Sequence, residues 1–155
     1  MDDAVAAFLA GRLSIIVASR DAANRPSLMR AVGMRLSARR EEVSVLLARS
    51  QSTQLLADLA ASGYIAVVFS APSTHRTLQL KGIKARIEAA TEEDLARIAP
   101  YADNLAAELA SVGIDERVAR ALIAVESADV VAVRFTPTEI YDQTPGPRAG
   151  AALPR

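Results

Sequence analysis

The most constraining feature of the sequence is an alternation of apolar and polar residues that reverses its phase at a glycine. From Thr77 the even-numbered positions are apolar up to Gly82, and from there to Ala89 the odd-numbered positions are apolar. Because side chains of a strand point alternately to its two faces, a slip of one residue exchanges the faces. We interpret Gly82 as a bulge or a barrel corner. The range 77–89 is therefore predicted to be a strand that turns a corner.

Other short apolar segments have the length and composition of β-strands, and turn residues bound them. The connections between most of them are too short for a crossover helix, which favours antiparallel pairing. Closing such a sheet into a barrel removes its exposed edges. The remaining predicted strands are Leu13–Ser19, Leu28–Ser37, Val43–Ala48, Tyr64–Ser70 and Val130–Phe135, the last with an extension over Glu139–Tyr141.

Two regions have the periodicity of helices. In Gln51–Ser62 the leucines recur on one helical face, and Gly63 is a natural stop. Further along, Thr91 with Asp94 predicts an N-terminal cap, and Pro100 is expected to separate two helical pieces. A last helix is expected to begin at Asp115, with these residues facing inward: Val118, Leu122 and Ile123.

The chain length fits one domain of ordinary size followed by a tail. We assign residues 1–142 to the domain and residues 143–155 to a tail rich in Pro, Gly and Ala. The prolines and glycines exclude an ordinary helix or a central strand there. Two alternatives stay open for the tail: a disordered end, or an ordered loop laid across a cofactor site, expected to be that of a partner chain.

Composition excludes several kinds of chemistry. Cysteine is absent and His75 is the only histidine, so disulfides, thiolate nucleophiles and a multi-histidine metal site within one chain are ruled out. The net charge of zero disfavours nucleic-acid binding. The start of the chain lacks the pattern of a signal peptide, and the apolar stretches are too short to span a bilayer. We expect a cytoplasmic protein without nucleic-acid or membrane partners and without a metal.

Three polar segments are candidates for binding a ligand. Arg30 lies within a predicted strand, where an arginine is costly unless it meets an anion. Residues 49–54 lead into a helix, whose N-terminus exposes N–H groups suited to phosphate. Gln79 opposes the apolar face of its strand and could hydrogen-bond a ring edge. Each also has a simpler interpretation: an arginine at a sheet edge, an ordinary helix cap and a solvated glutamine.

The order of these features resembles the pyridoxamine 5'-phosphate oxidase-related family of FMN-binding split β-barrels. The resemblance covers about residues 5–90 and, more loosely, the final strand. It implies a mainly β (α+β) fold, an antiparallel split β-barrel with flanking helices, and FMN as the cofactor. Arg35 and Gln54 replace lysines of that family, and Arg49 offers a compensating charge. The resemblance and the tail together suggest these cofactor-binding residues: Arg30, Arg35, Leu47, Ala48, Arg49, Ser52, Thr53, Gln54, Gln79 and Gln143.

The resemblance further implies a homodimer with the cofactor between two barrels. We favour an FMN-dependent oxidoreductase that acts on an unidentified small molecule, in which the flavin carries the chemistry and no side chain is assigned as catalytic. The tail lacks the terminal substrate-binding pattern of the true oxidases, so pyridoxine chemistry is not supported. The alternatives are a non-catalytic module that binds flavin or haem, and a barrel that has lost its cofactor.

Overall fold

The computed structural model describes residues 1–154, which form two β-sheets with five α-helices around them. The strands are β1 (Ser14–Arg20), β2 (Pro26–Arg30), β3 (Gly33–Leu36), β4 (Val43–Ala48), β5 (Ile65–Ser70), β6 (Thr77–Gly82), β7 (Arg86–Ala89), β8 (Val130–Phe135), β9 (Pro137–Asp142) and β10 (Ala151–Leu153). The helices are α1 (Asp3–Leu9), α2 (Thr53–Ser62), α3 (Glu92–Leu95), α4 (Ile98–Ser111) and α5 (Glu116–Ala121), with a short 3₁₀ turn at Ser127–Asp129.

The two sheets are entirely antiparallel. A six-stranded sheet has the order β10-β9-β6-β5-β1-β2, and a four-stranded sheet has the order β3-β4-β8-β7. Their inner faces enclose the main core, with α1 and α2 packed against it. The large side chains that are almost fully buried there include Phe69, Phe135, Ile15, Leu47, Leu55 and Leu59. The prediction of an antiparallel split β-barrel with flanking helices is confirmed.

The predicted strand Leu28–Ser37 is wrong as a single element. It divides into β2 and β3, which belong to different sheets. At the corner between them Ala31 donates its N–H to the carbonyl oxygen of Ile15 in one sheet, at 2.9 Å. Val32 donates to the carbonyl oxygen of Leu46 in the other sheet, at 2.8 Å. The apolar pattern runs through this corner without a break because both residues are buried.

The corner predicted at Gly82 is confirmed. β6 ends at Gly82 in the six-stranded sheet, and β7 continues in the four-stranded sheet from Arg86. A Cβ atom at Gly82 would lie 2.7 Å from Cδ2 of Phe135 and 3.0 Å from the carbonyl oxygen of Thr136. The crossing therefore has room only for glycine. A further crossing follows Phe135, so the predicted extension over Glu139–Tyr141 is a separate strand, β9, in the other sheet.

Helices α3 to α5 lie between β7 and β8 in the sequence. The end of α3 and the start of α4 cover the outer face of the four-stranded sheet. A second apolar cluster centred on Leu46 and Ala132 packs there against Leu95 and Ile98. The prediction of two helical pieces is confirmed, but they are separated at residues 96–97 and not at Pro100. Pro100 lies in the first turn of α4, where a missing N–H breaks no helical hydrogen bond.

The predicted cap at Thr91 is confirmed as a capping box with Asp94. The prediction that three residues of the last helical region face inward is only partly confirmed. Ile123 is buried, but Val118 and Leu122 are 54% and 51% exposed. Gly63 ends α2 with a left-handed φ of 66°, as its position after the apolar helix predicted.

The tail is ordered and forms a hairpin, whereas its place across a cofactor site stays a prediction. Residues 143–150 are a loop, and β10 pairs with β9 at the edge of the six-stranded sheet. The last residue of the predicted tail, Arg155, lies outside the described residues. Within residues 1–154 we find no helix that is both long and apolar enough to cross a membrane.

Candidate functional site

Two segments that are distant in the sequence meet at the corner between β2 and β3. Val32 in this corner bonds to Leu46, and β4 ends two residues later at Ala48. Arg30 ends β2 on one side of this contact, and Arg49 begins the turn into α2 on the other. The fold thus brings the predicted Arg30 and 47–54 segments to one end of the barrel. We refer to four residues here as the corner cluster: Arg30, Arg49, Ser52 and Thr53.

Arg30 in the corner cluster is half-buried and only lightly engaged. Its Nη1 atom donates to Oγ of Ser14 at 2.8 Å. A guanidinium carries five N–H donors, so most of its hydrogen-bonding capacity remains. Among residues 1–154 no carboxylate forms a salt bridge with it. A half-buried cation without a carboxylate is suited to an anionic ligand.

The start of α2 adds hydrogen-bond donors to the corner cluster. Ser52 precedes the helix and is 1% exposed, and its Oγ has no hydrogen-bond partner. Thr53 begins the helix, with its hydroxyl 3.5 Å from the carbonyl oxygen of Ser50. No acidic residue lies in the first turn of α2. The helix therefore has no carboxylate in its first turn that would compete with an anionic ligand for its N–H groups and its positive end.

Ser50 and Gln54, which neighbour the corner cluster in the sequence, already have hydrogen-bond partners. Asp129 accepts hydrogen bonds from the N–H and the hydroxyl of Ser50, at 2.9 Å and 2.5 Å, which anchors the turn before α2. The amide of Gln54 donates to Asp58 at 2.8 Å, and the same carboxylate accepts from Ser27. Gln54 is therefore directed along α2 rather than toward the corner cluster.

A single row of half-buried side chains runs across the outer face of the six-stranded sheet. In strand order from β2 to β9, the register aligns Arg30, Ile16, Val68, Gln79 and Tyr141. Alternation along each strand points these side chains away from the core. At roughly 4.8 Å between neighbouring strands, Arg30 and Gln79 are about 14 Å apart. The row has a cation at one end, an apolar middle and an amide toward the other end.

We refer to the outer side of the six-stranded sheet as the open face. The parallel row beside the first one contains the small residues Ala18 and Ala66 and continues through Lys81 to Glu139 on β9. The Nζ atom of Lys81 lies 4.8 Å from the centre of the Tyr141 ring. A shallow cavity of about 290 Å³ lies over these alanines. The large apolar side chains of the open face that remain exposed are Leu28, Tyr64 and Ile83.

Gln79 on the open face is fixed by the tail. The amide Nε2 of Gln143 donates to Oε1 of Gln79 at 3.3 Å. The backbone N–H of Gln143 also donates to the carbonyl oxygen of Thr77 at 2.8 Å, which holds the tail against β6. The structure therefore brings together two of the predicted cofactor-binding glutamines on the same face as Arg30.

Solved structures match this architecture although their sequences are distant. HupZ from Group A Streptococcus superposes with a TM-score of 0.58 at 15% identity, covering 97% of this chain and 99% of that one. A Lactobacillus delbrueckii protein, provisionally described as a pyridoxamine 5'-phosphate oxidase, gives 0.55 at 11% identity, covering 91% and 93%. HutZ, described as the haem storage protein from Vibrio cholerae, gives 0.54 at 15% identity, covering 91% and 93%. No protein-family model matches the chain, and no curated protein matches it in sequence.

The chain has the pyridoxamine 5'-phosphate oxidase-like split-barrel fold. The similarity covers both sheets and most of the helices, and it confirms the fold that the sequence resemblance implied. At these identities the similarity is one of fold. The ligand of this split barrel must therefore be argued from its own residues.

One predicted site residue of the split barrel lies elsewhere. Arg35 is on the outer face of the four-stranded sheet, where its Nε donates to Asp94 at 2.8 Å. Arg134 donates to the same carboxylate at 2.9 Å, and Thr91 also hydrogen-bonds to it. Burial acts to raise the pKa of Asp94, but the hydrogen bonds from Arg35 and Thr91 outweigh it and lower the pKa. Arg35 is thus committed to an ion pair, and the structure does not bring it to the corner cluster.

Two further predicted residues can contribute only through their backbone. The side chains of Leu47 and Ala48 are 0% and 2% exposed and belong to the packed end of β4. The pairing of β3 with β4 ends at Leu46, so the last residues of β4 have β8 as their strand neighbour. Their main chain lies next to Arg49 at the corner, consistent with the backbone contacts that the resemblance implies.

Tyr101, which no local pattern in the sequence marked as a site residue, lies close to Arg30 of the corner cluster. This side chain of α4 is 9% exposed, and its hydroxyl has no hydrogen-bond partner within the usual distance. Burial raises the pKa of Tyr101 to about 12, against a smaller opposing effect of the Arg30 charge. The hydroxyl is therefore protonated at neutral pH. The spacing of apolar residues in α4 could predict that Tyr101 is buried, but it could not predict that Tyr101 lies near Arg30.

Proposed function

We propose that this split barrel binds FMN along the row on the open face, as a homodimer, and acts as an oxidoreductase on a small molecule. The observation that carries the proposal is the alignment of Arg30, Ile16, Val68 and Gln79 in one row across four neighbouring strands. A ribityl phosphate attached to a flat ring system is complementary to this row: the phosphate is an anion, the ring has apolar faces, and the ring edge is polar.

The residues present fit each part of that cofactor. Arg30 and the start of α2 supply positive charge and N–H donors for the phosphate. The unpartnered hydroxyl of Ser52 gives a further donor whose burial is otherwise unfavourable. Ile16 and Val68 offer apolar contact for the face of the ring system, and Gln79 offers an amide for the ring edge.

In this proposal the protein binds and orients, and FMN, when bound, supplies the hydride or electron transfer. Arg30 sets the position of the phosphate end along the row. Gln79, held by Gln143, sets the position of the ring edge with an amide that can donate or accept a hydrogen bond. The apolar residues between them exclude water from the contact. No residue of the chain is assigned to move a proton.

The homodimer is supported by the apolar character of the open face. Leu28 is 63% exposed, and Ile83 and Tyr64 are also exposed there, although large apolar side chains prefer burial. A second copy seated on this face would cover them and enclose the row. We expect light scattering at micromolar concentration to give the mass of a dimer, and Leu28→Glu to shift it toward the monomer. A wild-type monomer under these conditions would contradict the shared site.

The flavin part of the proposal is tested by an absorbance spectrum of protein purified without added ligand, followed by FMN titration of the apoprotein. We expect the two absorption bands of a bound flavin, saturation at one FMN per chain, and bleaching by a reductant that air reverses. A protein that neither retains nor takes up FMN would refute the proposal.

Haem is the second candidate. It is favoured by the fold similarity to HutZ, described as a haem storage protein, and by the apolar middle of the row, which could also contact a macrocycle. The only histidine, His75, is exposed in the turn between β5 and β6. If haem binds, we expect a Soret band that changes in His75→Ala. A Soret band with no flavin bands would replace FMN by haem in the proposal.

A further inference from the structure

A second cavity lies between the tail hairpin and the start of α1. Its volume is about 750 Å³, more than twice that of the cavity on the open face, and within the range of small-molecule sites. Leu78 and Asp142, which line it, are paired in register between β6 and β9. Alternation places them on the side of the sheet opposite to Gln79 and Tyr141. We refer to this cavity as the tail cleft, and it is separate from the row on the open face.

The walls of the tail cleft are held by hydrogen bonds. The hydroxyl of Thr144 accepts from the N–H of Thr77 at 3.1 Å, and Gln143 bonds to the same residue's carbonyl oxygen. At the far end of the loop, the N–H of Gly150 donates to the carbonyl oxygen of Asp142 at 2.7 Å. The loop is therefore tied at both ends. The tail cleft is a preformed cavity, and a ligand need not order the loop when it binds.

The tail cleft has an apolar floor. Val5 of α1 is 4% exposed and Leu78 is 2% exposed, and the half-buried Leu153 of β10 packs against the same core. Pro145 and Pro147 line the rim. Such a surface suits the apolar body of a ligand rather than a hydrated ion.

The carboxylates of the tail cleft are already engaged. Asp2 accepts from the N–H of Val5 at 2.8 Å and caps α1. Asp142 accepts from the N–H of Thr144 at 2.9 Å, and hydrogen bonds from Thr144 lower its pKa. Arg148 lies 3.9 Å from Asp142. Both acids therefore have partners within the chain.

Arg76 is the cation of the tail cleft that lacks such a partner. Its guanidinium stacks over the ring of Phe8, 4.6 Å from the ring centre, which holds its plane in place. Its guanidinium forms no salt bridge among residues 1–154, although its charge contributes to the lowered pKa of Asp142 across the cleft. A fixed guanidinium with free donors beside an apolar floor is the arrangement that recognises a carboxylate or another oxyanion on an apolar body.

We propose that the tail cleft is a second binding site and that it takes a small amphipathic organic acid. The apolar body lies on Val5, Leu78 and Leu153, and Arg76 binds the acidic group. The proposal is independent of the flavin on the open face, because its residues are on the other side of the sheet.

The experiment compares two fluorescent probes that differ only in charge. 8-Anilinonaphthalene-1-sulfonate carries an acidic group, and N-phenyl-1-naphthylamine is the same ring system without it. We expect both to bind, and Arg76→Gln to weaken the sulfonate about fivefold while leaving the neutral probe unchanged. Leu153→Gln, at the floor, should weaken both probes.

The matched control is Arg20→Gln. Arg20 also stacks its guanidinium on an aromatic ring, 4.3 Å from the centre of Tyr64, but on the open face. This variant should leave both affinities unchanged. If Arg76→Gln has no effect on the sulfonate, or if Arg20→Gln has the same effect as Arg76→Gln, the proposal is wrong.

A competition experiment separates the two sites. Saturating FMN should leave sulfonate binding to the wild-type protein unchanged. Displacement of the probe by FMN would assign the probe to the flavin site and overturn the second site. Failure of FMN to bind at all would refute the proposed function, whereas the Arg76-dependent binding of the sulfonate would stand.

Discussion

The outer faces of the two sheets each carry an arginine on a strand, and the two arginines have opposite surroundings. On the four-stranded sheet, Arg35 is bound to the fully buried Asp94, which also holds Arg134. On the six-stranded sheet, Arg30 has only the hydroxyl of Ser14 as a side-chain partner. The same residue type, five positions apart in the sequence, is thus saturated on one face and available on the other.

The difference comes from what covers each face. Helices α3 and α4 place an apolar cluster and a carboxylate over the four-stranded sheet, and we refer to that surface as the sealed face. The open face has no helix over its central strands, and its apolar residues are half-buried or exposed. The comparison indicates that charges of the sealed face stabilise the fold, whereas Arg30 on the open face is available to a ligand.

The largest effect is expected from removing the carboxylate of the sealed face. Asp94→Ala leaves Arg35 and Arg134 without their shared partner, and we expect a loss of about 3 to 5 kcal/mol in the free energy of unfolding. Urea denaturation measures it. The control Asp103→Ala removes an exposed partner of Arg120 and should cost less than about 1 kcal/mol. Equal losses in the two variants would contradict the distinction between the faces.

Acid should weaken the sealed face in the same way, but to a smaller extent. The pKa of Asp94 is lower in the folded chain than its ordinary value, so the unfolded chain binds the proton more readily. Its contribution is therefore complete above about pH 4 and is lost as the pH falls through the lowered pKa. Urea midpoints measured from pH 7 down to pH 3 should fall less steeply in Asp94→Asn than in the wild type. Parallel profiles would show that Asp94 is not the group responsible.

On the open face, the corresponding change should affect binding instead of stability. Arg30→Ala should weaken FMN by about 1.5 to 3 kcal/mol, because it removes a charge-assisted contact to phosphate. Riboflavin, which lacks the phosphate, should bind with nearly unchanged affinity. Fluorescence titration with both ligands measures the difference, and Arg20→Ala on the same face is the control. An equal loss for both ligands would mean that Arg30 acts through the fold.

The smallest expected effect concerns the buried hydroxyl of Ser52 at the start of α2. Ser52→Ala removes a group without a hydrogen-bond partner, so the free energy of unfolding should stay the same or rise slightly. FMN affinity should fall by about 1 kcal/mol. Ser62→Ala is the matched control at the other end of α2, where the hydroxyl donates to the carbonyl oxygen of Asp58 at 2.8 Å. That variant should lose stability and keep its affinity. The opposite pattern would remove Ser52 from the site.

Local patterns predicted most of the strands and the corner at Gly82. Alternation of side chains is a local property, and β4 was predicted with the bounds that it has in the structure. The division of Leu28–Ser37 between two sheets was missed because its corner is as apolar as a strand interior. Neither α1 nor β10 was predicted, since each is short and is held by contacts with distant parts of the chain.

The candidate site was predicted only in part, for a related reason. Arg30, Ser52 and Gln79 were identified from residue type and order. The structure places Gln79 in the row with Arg30, and Ser52 directly before α2. The carboxylate that engages Arg35 lies 59 residues away in the sequence. No local pattern can show that such a partner exists. The roles of Arg35 and Gln54 therefore depend on the tertiary structure.

The crossings of the chain between the two sheets have a consequence for how the protein unfolds. The chain passes from one sheet to the other four times, at three corners and through α2. Neither sheet can come apart while the other keeps its strands in place, so both should melt in one cooperative transition. A ligand that contacts only one sheet would then raise the melting temperature of both. At a concentration of one hundred times its dissociation constant it would add about 2.7 kcal/mol to the free energy of unfolding. Thermal denaturation of the whole molecule can thus detect ligands of the row on the open face or of the tail cleft, without any label near the site.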